Sequence, residues 1–474
     1  MELQYRGNGK VYYKDKEYPC ILYLNEKEGG IVLVIKNNNG TGLGDFLELS
    51  LEMPFLSGVL ESGFKFTLIS VKRIGTRDLI SYGITEYTYD AEYILCGIGE
   101  RNQQPQSFYK VCYTLSDIVE WGEYSIYDID KDGRITSKVE TEKRTLFEGT
   151  KYSIKYSIIG SLLPTVHHEL LKESIELKQS GVIEIEFSCE VSFESFNEVF
   201  NQLKSLIEIA LFRKINVEKI VAYSHKLDYQ IGDAVFEQSI EIHGAAIKQQ
   251  SEVPHSISWK WITLSEFINH NSFEHFINKY EKLVPIVELF VEPMRNDSIS
   301  DTRVFLNTVQ ALETYHSRFV TNSIDDFKSR VESIVNCNGG QPNDETRNFL
   351  LANSKSFITL ESRLADLLQA NWKIWFDTGE ITHKDFPSII AHTRNYYIHY
   401  DEKIKEKYRI LSNEELPFYN RSLAEILEYY ILIQLGFPEG HGETSKKLAN
   451  RWGNISQDIS ISNLSKRKLH EQNQ

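Results

Sequence analysis

The sequence predicts an α+β protein of several domains, in which a β-rich N-terminal domain precedes an all-α helical bundle. The chain has 474 residues, and domains of about 100–200 residues are typical, so two or three domains are expected. Polar and apolar residues alternate strictly in GVIEIEFSCEVSFE, residues 181–194, as they do in a half-buried strand. After Trp261 glycine becomes sparse and apolar residues recur at helical spacing.

The β-rich domain is predicted to span residues 1–262. Residues 20–35 predict two strands around a Gly-Gly turn. In the 181–194 strand, one face is predicted to carry Ile183, Ile185, Phe187, Cys189, Val191 and Phe193, and the opposite face Glu184, Glu186, Ser188, Glu190 and Ser192. A helix is expected over 196–212, and strand patterns return in EKIVAYSH and VFEQSIEIHGAAI.

The helical domain is predicted to span residues 263–438, with a polar tail over 439–474. Five helices are expected, at 273–294, 302–320, 356–376, 384–405 and 420–438. Pro285 predicts a kink or break in the first of them. In the last, Ser422 is a candidate N-terminal cap, while Gly436 and Pro438 mark the end.

Composition limits the classes of function. The net charge is −15, which argues against a broad nucleic-acid surface, although residues 383–409 are mildly basic. Five scattered cysteines without a CxxC pair argue for reduced thiols and against a disulfide framework or a zinc ribbon. We find no apolar run long enough for a transmembrane helix and no signal peptide, so a cytoplasmic protein without membrane contact is expected.

Three stretches imitate ligand sites. Asp128, Asp130 and Asp132 have the spacing of a calcium loop, but Val139 stands where the loop needs glutamate, so an acidic hairpin turn is favoured. The glycine-rich NNNGTGLGDF, residues 37–46, lacks the spacing of a nucleotide-binding loop and favours an ordinary loop. His167 and His168 are adjacent and therefore point apart, which disfavours zinc.

The helix predicted over 384–405 carries the most informative polar residues. Its core face is predicted to hold Phe386, Ile389, Ile390, Thr393, Tyr397 and Tyr400. A polar stripe holds His392, Asn395, His399 and Glu402, and Arg394 borders it. Arg394 and His399 lie about 140° apart on an ideal helix, so the arginine must curl toward the histidine or act across a dimer. Taken alone, the Arg-to-His spacing is compatible with an ordinary solvated helix face.

The arrangement of Arg394, Asn395, Tyr396, Tyr397, Ile398 and His399 resembles the signature of the HEPN superfamily, which is Arg, a polar residue, a short spacer and His. The helix TVQALETYHSRF resembles the first core helix of Apea-type HEPN domains, and a last helix ending in Gly-Phe-Pro also fits. This resemblance covers roughly residues 300–437. Residues 1–260 more loosely resemble the N-terminal domain of ApeA-like anti-phage proteins.

The resemblance implies a metal-independent endoribonuclease that works as a homodimer and needs no cofactor. The RNA 2′-hydroxyl would be the nucleophile, leaving a 2′,3′-cyclic phosphate and a 5′-hydroxyl. His399 would serve as base or acid, Arg394 would hold phosphate oxygens, and Asn395 would orient His399 or contact RNA. A shared groove would supply two histidines and two arginines. tRNA is a candidate substrate, because its loops are exposed single strands.

Several alternatives stay open at this stage. Tyr396 either stacks on an RNA base or, as we favour, belongs to the core. Glu313 and His316, three residues apart on a helix, either support the site or form a surface pair. The leading hypothesis is a defence ribonuclease whose β-rich domain senses a phage-derived trigger and whose activity aborts infection. The alternatives are a non-catalytic HEPN docking module and a ligand-binding protein that works through its β-rich domain.

Overall fold

The computed structural model describes most of the chain and leaves gaps between the described ranges. These ranges are 5–14, 16–25, 30–38, 49–79, 84–99, 106–137, 142–161, 176–232, 234–244, 262–296, 298–320, 344–345, 348, 359–368, 384–440, 444, 447–448 and 451–452. Two compact units emerge, one of residues 1–201, 215–256 and 263–265, the other of 202–214, 257–262 and 266–474.

The first unit is rich in strands, as the sequence predicts. Its strands are β1 (Tyr5–Tyr13), β2 (Lys16–Asn25), β3 (Gly30–Asn38), β4 (Glu52–Leu60), β5 (Lys65–Leu79), β6 (Ile84–Cys96), β7 (Ser107–Leu115), β8 (Tyr127–Ile129), β9 (Ile135–Ser137), β10 (Arg144–Glu148), β11 (Tyr152–Gly160), β12 (Gln179–Ser192), β13 (Val217–Tyr223), β14 (Tyr229–Ile231), β15 (Ala234–Phe236) and β16 (Ser239–Gly244). Two helices accompany them, α1 (Ile118–Trp121) and α2 (Phe193–Leu211). Only the first part of α2 belongs to this unit.

Six strands close into a barrel in the order β6-β3-β2-β1-β4-β5, because β5 pairs back onto β6. All pairings around this ring are antiparallel. Large apolar side chains form one buried cluster in this region, including Leu22, Leu33, Phe66 and Tyr89. The predicted strands at 20–35 are confirmed as β2 and β3, which pair Cys20 with Ile35.

The sheet continues from β6 through β16, β13, β7, β12 and β11 to β10. Strand β12 confirms the strand predicted at 181–194, but its two faces differ from the prediction. Glu184 is buried and accepts a hydrogen bond from Lys143, and Cys189 is exposed. The cause is that β12 lies between two neighbouring strands and its register against β7 shifts between Glu186 and Val191.

The acidic stretch around Asp128 is the hairpin turn that we favoured. Strands β8 and β9 pair across it, and Gly133 adopts a φ of 79°. The Asp130 carboxylate accepts hydrogen bonds from the backbone N–H groups of Asp132 and Arg134. The aspartates thus stabilise a turn within the chain. The glycine-rich loop from residue 39 and the His167–His168 pair lie outside the described residues.

The second unit is helical. Its described helices are α3 (Leu264–Asn269), α4 (Ser272–Arg295), α5 (Asp301–Phe319), α6 (Leu360–Leu367), α7 (Phe386–His399), α8 (Glu402–Lys407) and α9 (Leu416–Gln434). Helix α5 is central and packs against α4, α6, α7 and α9. The α+β architecture predicted from the sequence is therefore confirmed.

Several helix boundaries differ from the predictions. Helix α4 continues through Pro285 rather than breaking there. Helix α9 begins at Leu416, so Ser422 lies inside it and is not its cap. The predicted end of α9 is confirmed, because Gly436 has a φ of 92° and a Cβ there would lie 2.4 Å from the His270 carbonyl oxygen. In the predicted 356–376 helix, Leu364 and Leu367 are buried, whereas Trp372 and Trp375 lie outside the described residues.

The stretch after residue 439 contributes to the packing of the helical unit. Four of its described residues, Thr444, Leu448, Arg451 and Trp452, are buried, although the sequence suggests a polar tail. Trp452 packs edge-on against Phe212, with ring centroids 4.9 Å apart. Burial of a tryptophan side chain stabilises the packing enough to hold a segment whose other residues are mostly polar. The average composition of the segment does not reveal this, so it suggests a tail.

The buried carboxyl group of Glu425 in α9 should make the stability of the helical unit depend on pH. Burial raises its pKa to about 8, with Arg421 opposing the shift and Glu428 adding to it. The folded state therefore retains a proton that the unfolded state releases above about pH 4.5, so stability falls as the pH rises from there to about 8. At about 1.4 kcal/mol per pKa unit, the loss is roughly 4–5 kcal/mol.

We expect Glu425→Gln to remove this dependence, because the amide keeps the shape of the side chain and does not ionise. Urea unfolding between pH 4.5 and pH 8 measures it, with the exposed Glu414→Gln as the matched control. Parallel stability curves for wild type and Glu425→Gln would show that Glu425 ionises freely in the folded protein.

Candidate functional site

Helix α7 carries the Arg394, Asn395 and His399 that the sequence singled out. Pro387 lies in its first turn, where a missing N–H costs nothing. The helix is held by Tyr397, whose hydroxyl donates to the Leu411 carbonyl oxygen at 3.1 Å. Burial raises the pKa of Tyr397, so this hydroxyl remains a donor. The helix ends at His399, and the next residue, Tyr400, adopts a left-handed φ of 50°.

Arg394 lies between two polar side chains. Its Nη2 is 3.7 Å from Oε2 of Glu313 on α5, and its Nη1 donates to Oδ1 of Asn395 at 3.3 Å. Arg394 and Glu313 each keep about a third of their side-chain surface exposed, at 33% and 36%. The guanidinium is thus oriented from two sides, while part of it stays open to bind an anion.

His399 is exposed in the last turn of α7. Within the described part of the chain, no residue hydrogen-bonds its imidazole. Five residues of helix place it about 7.5 Å further along the axis than Arg394. Asn395 accepts a hydrogen bond from Arg394. The expectation that Asn395 orients His399 therefore stays a prediction.

The predicted polar stripe is interrupted where α7 ends. His392 stacks on Tyr408, with ring centroids 3.6 Å apart. Glu402 belongs to α8 and accepts a hydrogen bond from the Tyr396 hydroxyl at 3.3 Å. Tyr396 is half-buried, and it lies beside Tyr400 rather than deep in the core.

Comparison with protein-family models now assigns both parts of the chain. The model of ApeA N-terminal domain 1 matches residues 5–288, which is more than half of the chain. The model of Apea-like HEPN matches residues 306–441, which include Glu313 and all of α7. The chain belongs to the ApeA-like family of HEPN proteins. Comparisons with curated proteins and with solved structures gave no match.

The first helix of the HEPN match, α5, also contributes His316, which the sequence placed beside Glu313. The structure separates the two. Glu313 contacts Arg394, whereas His316 is buried, with Nε2 3.0 Å from Oδ2 of Asp366 and Nδ1 3.5 Å from Nη1 of Arg363. His316 therefore links α5 to α6, which is a packing role within the HEPN domain.

In the HEPN domain, one contact lacks any signal in the sequence and one burial prediction is wrong. Asp366, the partner of His316, lies fifty residues away in the chain, and no local pattern connects them. Tyr400 was assigned to the core face of a continuous helix, and that prediction is wrong. Its side chain is 64% exposed, because the helix ends at His399 and the left-handed backbone turns Tyr400 away from the core face.

The HEPN site holds acidic, amide, imidazole and guanidinium groups within a helical frame. Among the residues that the structure describes, no three His, Cys, Asp or Glu side chains are grouped to hold a metal ion. In the same ranges, no helix combines the length and apolarity that crossing a membrane requires. The ApeA-like domain order agrees with a role in anti-phage defence, and a HEPN domain is consistent with a nuclease.

Proposed function

We propose that this protein is an anti-phage endoribonuclease whose HEPN domain cleaves RNA without a metal ion. The observation that carries the proposal is that one helix, α7, presents both an oriented guanidinium, Arg394, and an exposed imidazole, His399. The first can bind a phosphate, and the second can exchange a proton with solvent or substrate. These are the two tasks that cleavage by the RNA 2′-hydroxyl requires of a protein.

In this proposal His399 removes the proton from the 2′-hydroxyl or delivers one to the leaving 5′-oxygen. Imidazole suits both tasks because its ordinary pKa lies near neutrality. Arg394 stabilises the charge that develops on the phosphorane oxygens. The 2′-oxygen forms a bond to phosphorus as the bond to the 5′-oxygen breaks, which leaves a 2′,3′-cyclic phosphate and a 5′-hydroxyl.

One histidine cannot act as base and acid in the same step, so we propose a homodimer in which two α7 helices meet. In this arrangement Ile398, which directly precedes His399 and is 44% exposed, would be covered by the second copy. Two-fold symmetry would then place both motifs in one groove.

The β-rich ApeA domain is proposed to receive a phage-derived trigger and to control the HEPN domain. An acidic protein of net charge −15 binds RNA weakly in general, which suits a nuclease that must spare RNA until it is triggered. Structured RNA with exposed loops, such as tRNA, is the proposed substrate. The proposed outcome of its cleavage is abortive infection.

The test uses purified protein, total RNA and excess EDTA, followed by mapping of the RNA ends. We expect cleavage with 2′,3′-cyclic phosphates at the new 3′ ends. If the purified protein is inactive, it is expressed during phage challenge and the cellular RNA is mapped in the same way. Intact RNA in both experiments would contradict the ribonuclease and favour a HEPN module that docks a partner.

Glu313 is a positioning residue in this proposal, since it touches Arg394 rather than the RNA. We expect Glu313→Gln to lower kcat about tenfold with little change in KM, because the guanidinium loses the charge that orients it. The melting temperature should hardly change, because exposed ion pairs contribute about 0–1 kcal/mol. Steady-state kinetics and thermal melting measure both.

The exposed Glu361 of α6 offers a matched control. Glu361→Gln makes the same chemical change at a residue outside the Glu313–Arg394 contact and should leave kcat unaltered. An equal loss in both variants would show that total charge, rather than the Glu313–Arg394 contact, governs the rate.

A further inference from the structure

Tyr400 is an exposed aromatic residue beside the proposed reacting group. It follows His399 directly and is 64% exposed, compared with 50% for Tyr229 and 38% for Tyr408. The hydrophobic effect favours covering such a ring. Its position next to the motif raises the question of what covers it when the protein is at work.

The backbone conformation at the end of α7 does not require a tyrosine at position 400. A φ of 50° is a left-handed conformation, which glycine adopts without strain and which asparagine tolerates better than most residues. The chain uses glycine for this purpose after α9, where Gly436 has a φ of 92°. At the end of α7 a bulky aromatic residue holds the strained conformation instead. Strain at such a position points to a use for the side chain.

The ring of Tyr400 is braced by two other tyrosines. It meets Tyr396 at 5.8 Å between centroids with an interplanar angle of 62°, and Tyr397 at 6.3 Å with an angle of 88°. Tyr397 is itself fixed through its hydroxyl to Leu411 and Asn413. The exposed ring is therefore oriented in advance, so that binding to it costs little conformational entropy.

The charges next to Tyr400 distinguish between two kinds of partner. Helix α8 begins two residues later and exposes Lys403, Lys405 and Lys407 together with Glu402 and Glu406. Lys405 lies 3.9 Å from Glu402, so Lys403 and Lys407 are the lysines of this helix that offer a phosphate an ammonium group outside that ion pair. Lys405 lies 5.9 Å from the centre of the Tyr396 ring. A second protein copy at this place would have to desolvate these ammonium groups, whereas RNA would pair them with phosphates. Aromatic rings interleaved with lysines are typical of single-strand binding.

We propose that Tyr400 stacks on an RNA base next to the scissile phosphate, so that the substrate is single-stranded where it is cut. This inference rests on the proposed function and deepens it. A base can lie on an exposed ring only when it has left its own helical stack. Tyr400 thereby selects unpaired nucleotides and places the neighbouring 2′-hydroxyl near His399.

The experiment compares Tyr400→Phe, which keeps the ring, with Tyr400→Leu, which keeps apolar bulk alone. Phe418→Leu is the matched control, since Phe418 is 53% exposed on α9. The probe is a 2′-O-methyl RNA of about eight nucleotides, single-stranded or as a duplex, because it cannot be cleaved. Fluorescence anisotropy gives Kd, and light scattering gives the oligomeric state.

We expect Tyr400→Leu to raise the Kd for the single strand roughly tenfold, with Tyr400→Phe and Phe418→Leu within about twofold of wild type. On a cleavable RNA, Tyr400→Leu should raise KM. An unchanged Kd in Tyr400→Leu would overturn the proposal. So would dissociation of a dimer in that variant, which would assign the ring to a contact between copies.

Failure of the stack and failure of the ribonuclease give different results. Wild-type protein that binds the single strand through Tyr400 but cuts no RNA would contradict the proposed catalysis and leave the stacking contact supported. If wild-type protein cuts RNA while Tyr400→Leu retains wild-type Kd and KM, the proposed catalysis is supported and the stacking contact is contradicted. Equal affinity of wild type for duplex and single strand would also overturn the stack.

Discussion

His399→Ala should reduce RNA cleavage by a factor of about 10²–10⁴, the usual contribution of a positioned acid or base. The same change should leave folding and dimerisation intact, because the imidazole is exposed and none of the described residues hydrogen-bonds it. Rates on a fixed RNA, thermal melting and light scattering measure the three properties. RNA binding should also survive, since phosphate contacts rest on Arg394 and the lysines of α8.

His392→Ala provides the control on the same helix. His392 stacks on Tyr408 and lies outside the motif, so its removal should lower stability and leave the rate per folded molecule unchanged. If His399→Ala cleaves as fast as wild type, the proposed chemistry is wrong. If it unfolds the domain, His399 is structural, and the HEPN domain is better explained as a docking module.

The sequence located the motif but only part of its surroundings. Arg394, Asn395 and His399 lie within six residues, so local spacing sufficed to find them. The contact of Arg394 with Glu313 joins α7 to α5 across eighty residues of chain, and no periodicity encodes such a pairing. Tyr400 was misplaced for a different reason. A helix that ends without glycine or proline leaves no local signal of its end.

The fold shows the same division between local and long-range information. Alternating residues correctly predict β12, and a Gly-Gly turn between two strand-like runs correctly predicts β2 and β3, because both signals are local to the chain. Closure of the barrel depends on β5 pairing with β6 as well as with β4, and three-dimensional packing decides that. The burial of Glu184 likewise follows from the strands on both sides of β12, which the pattern within β12 does not reveal.

A large effect of a single substitution on stability is expected at Arg451, within the stretch whose composition suggests a polar tail. Arg451 is 2% exposed and lies 3.3 Å from Glu428, which is fully buried in α9. Its guanidinium also donates to the carbonyl oxygens of Ile209 and Ala210, at the C-terminal end of α2. Trp452 donates its indole N–H to the other oxygen of Glu428 at 2.7 Å. One arginine therefore neutralises the buried carboxylate of Glu428 and also donates hydrogen bonds to free carbonyl groups at the end of α2.

Arg451→Met should destabilise the helical unit by about 3–5 kcal/mol, because Glu428 is left buried without its counter-charge. Burial raises the pKa of Glu428 and Arg451 opposes that rise, so losing Arg451 raises the pKa further. The destabilisation should accordingly be small in acid, where Glu428 is protonated, and should grow as the pH rises through that pKa. Urea unfolding at several pH values measures the trend.

Two further variants decide how the effect arises. Lys447→Met removes a partly exposed ion pair with Glu266 in the same stretch, and it should cost less than about 1 kcal/mol. Arg451→Met combined with Glu428→Met removes both buried charges, and it should recover much of the lost stability. If Arg451→Met unfolds at the wild-type urea concentration, the stretch around Trp452 is not part of the cooperative unit. A double variant no more stable than Arg451→Met would instead assign the loss to the carbonyl groups at the end of α2, which remain without their donor in both variants.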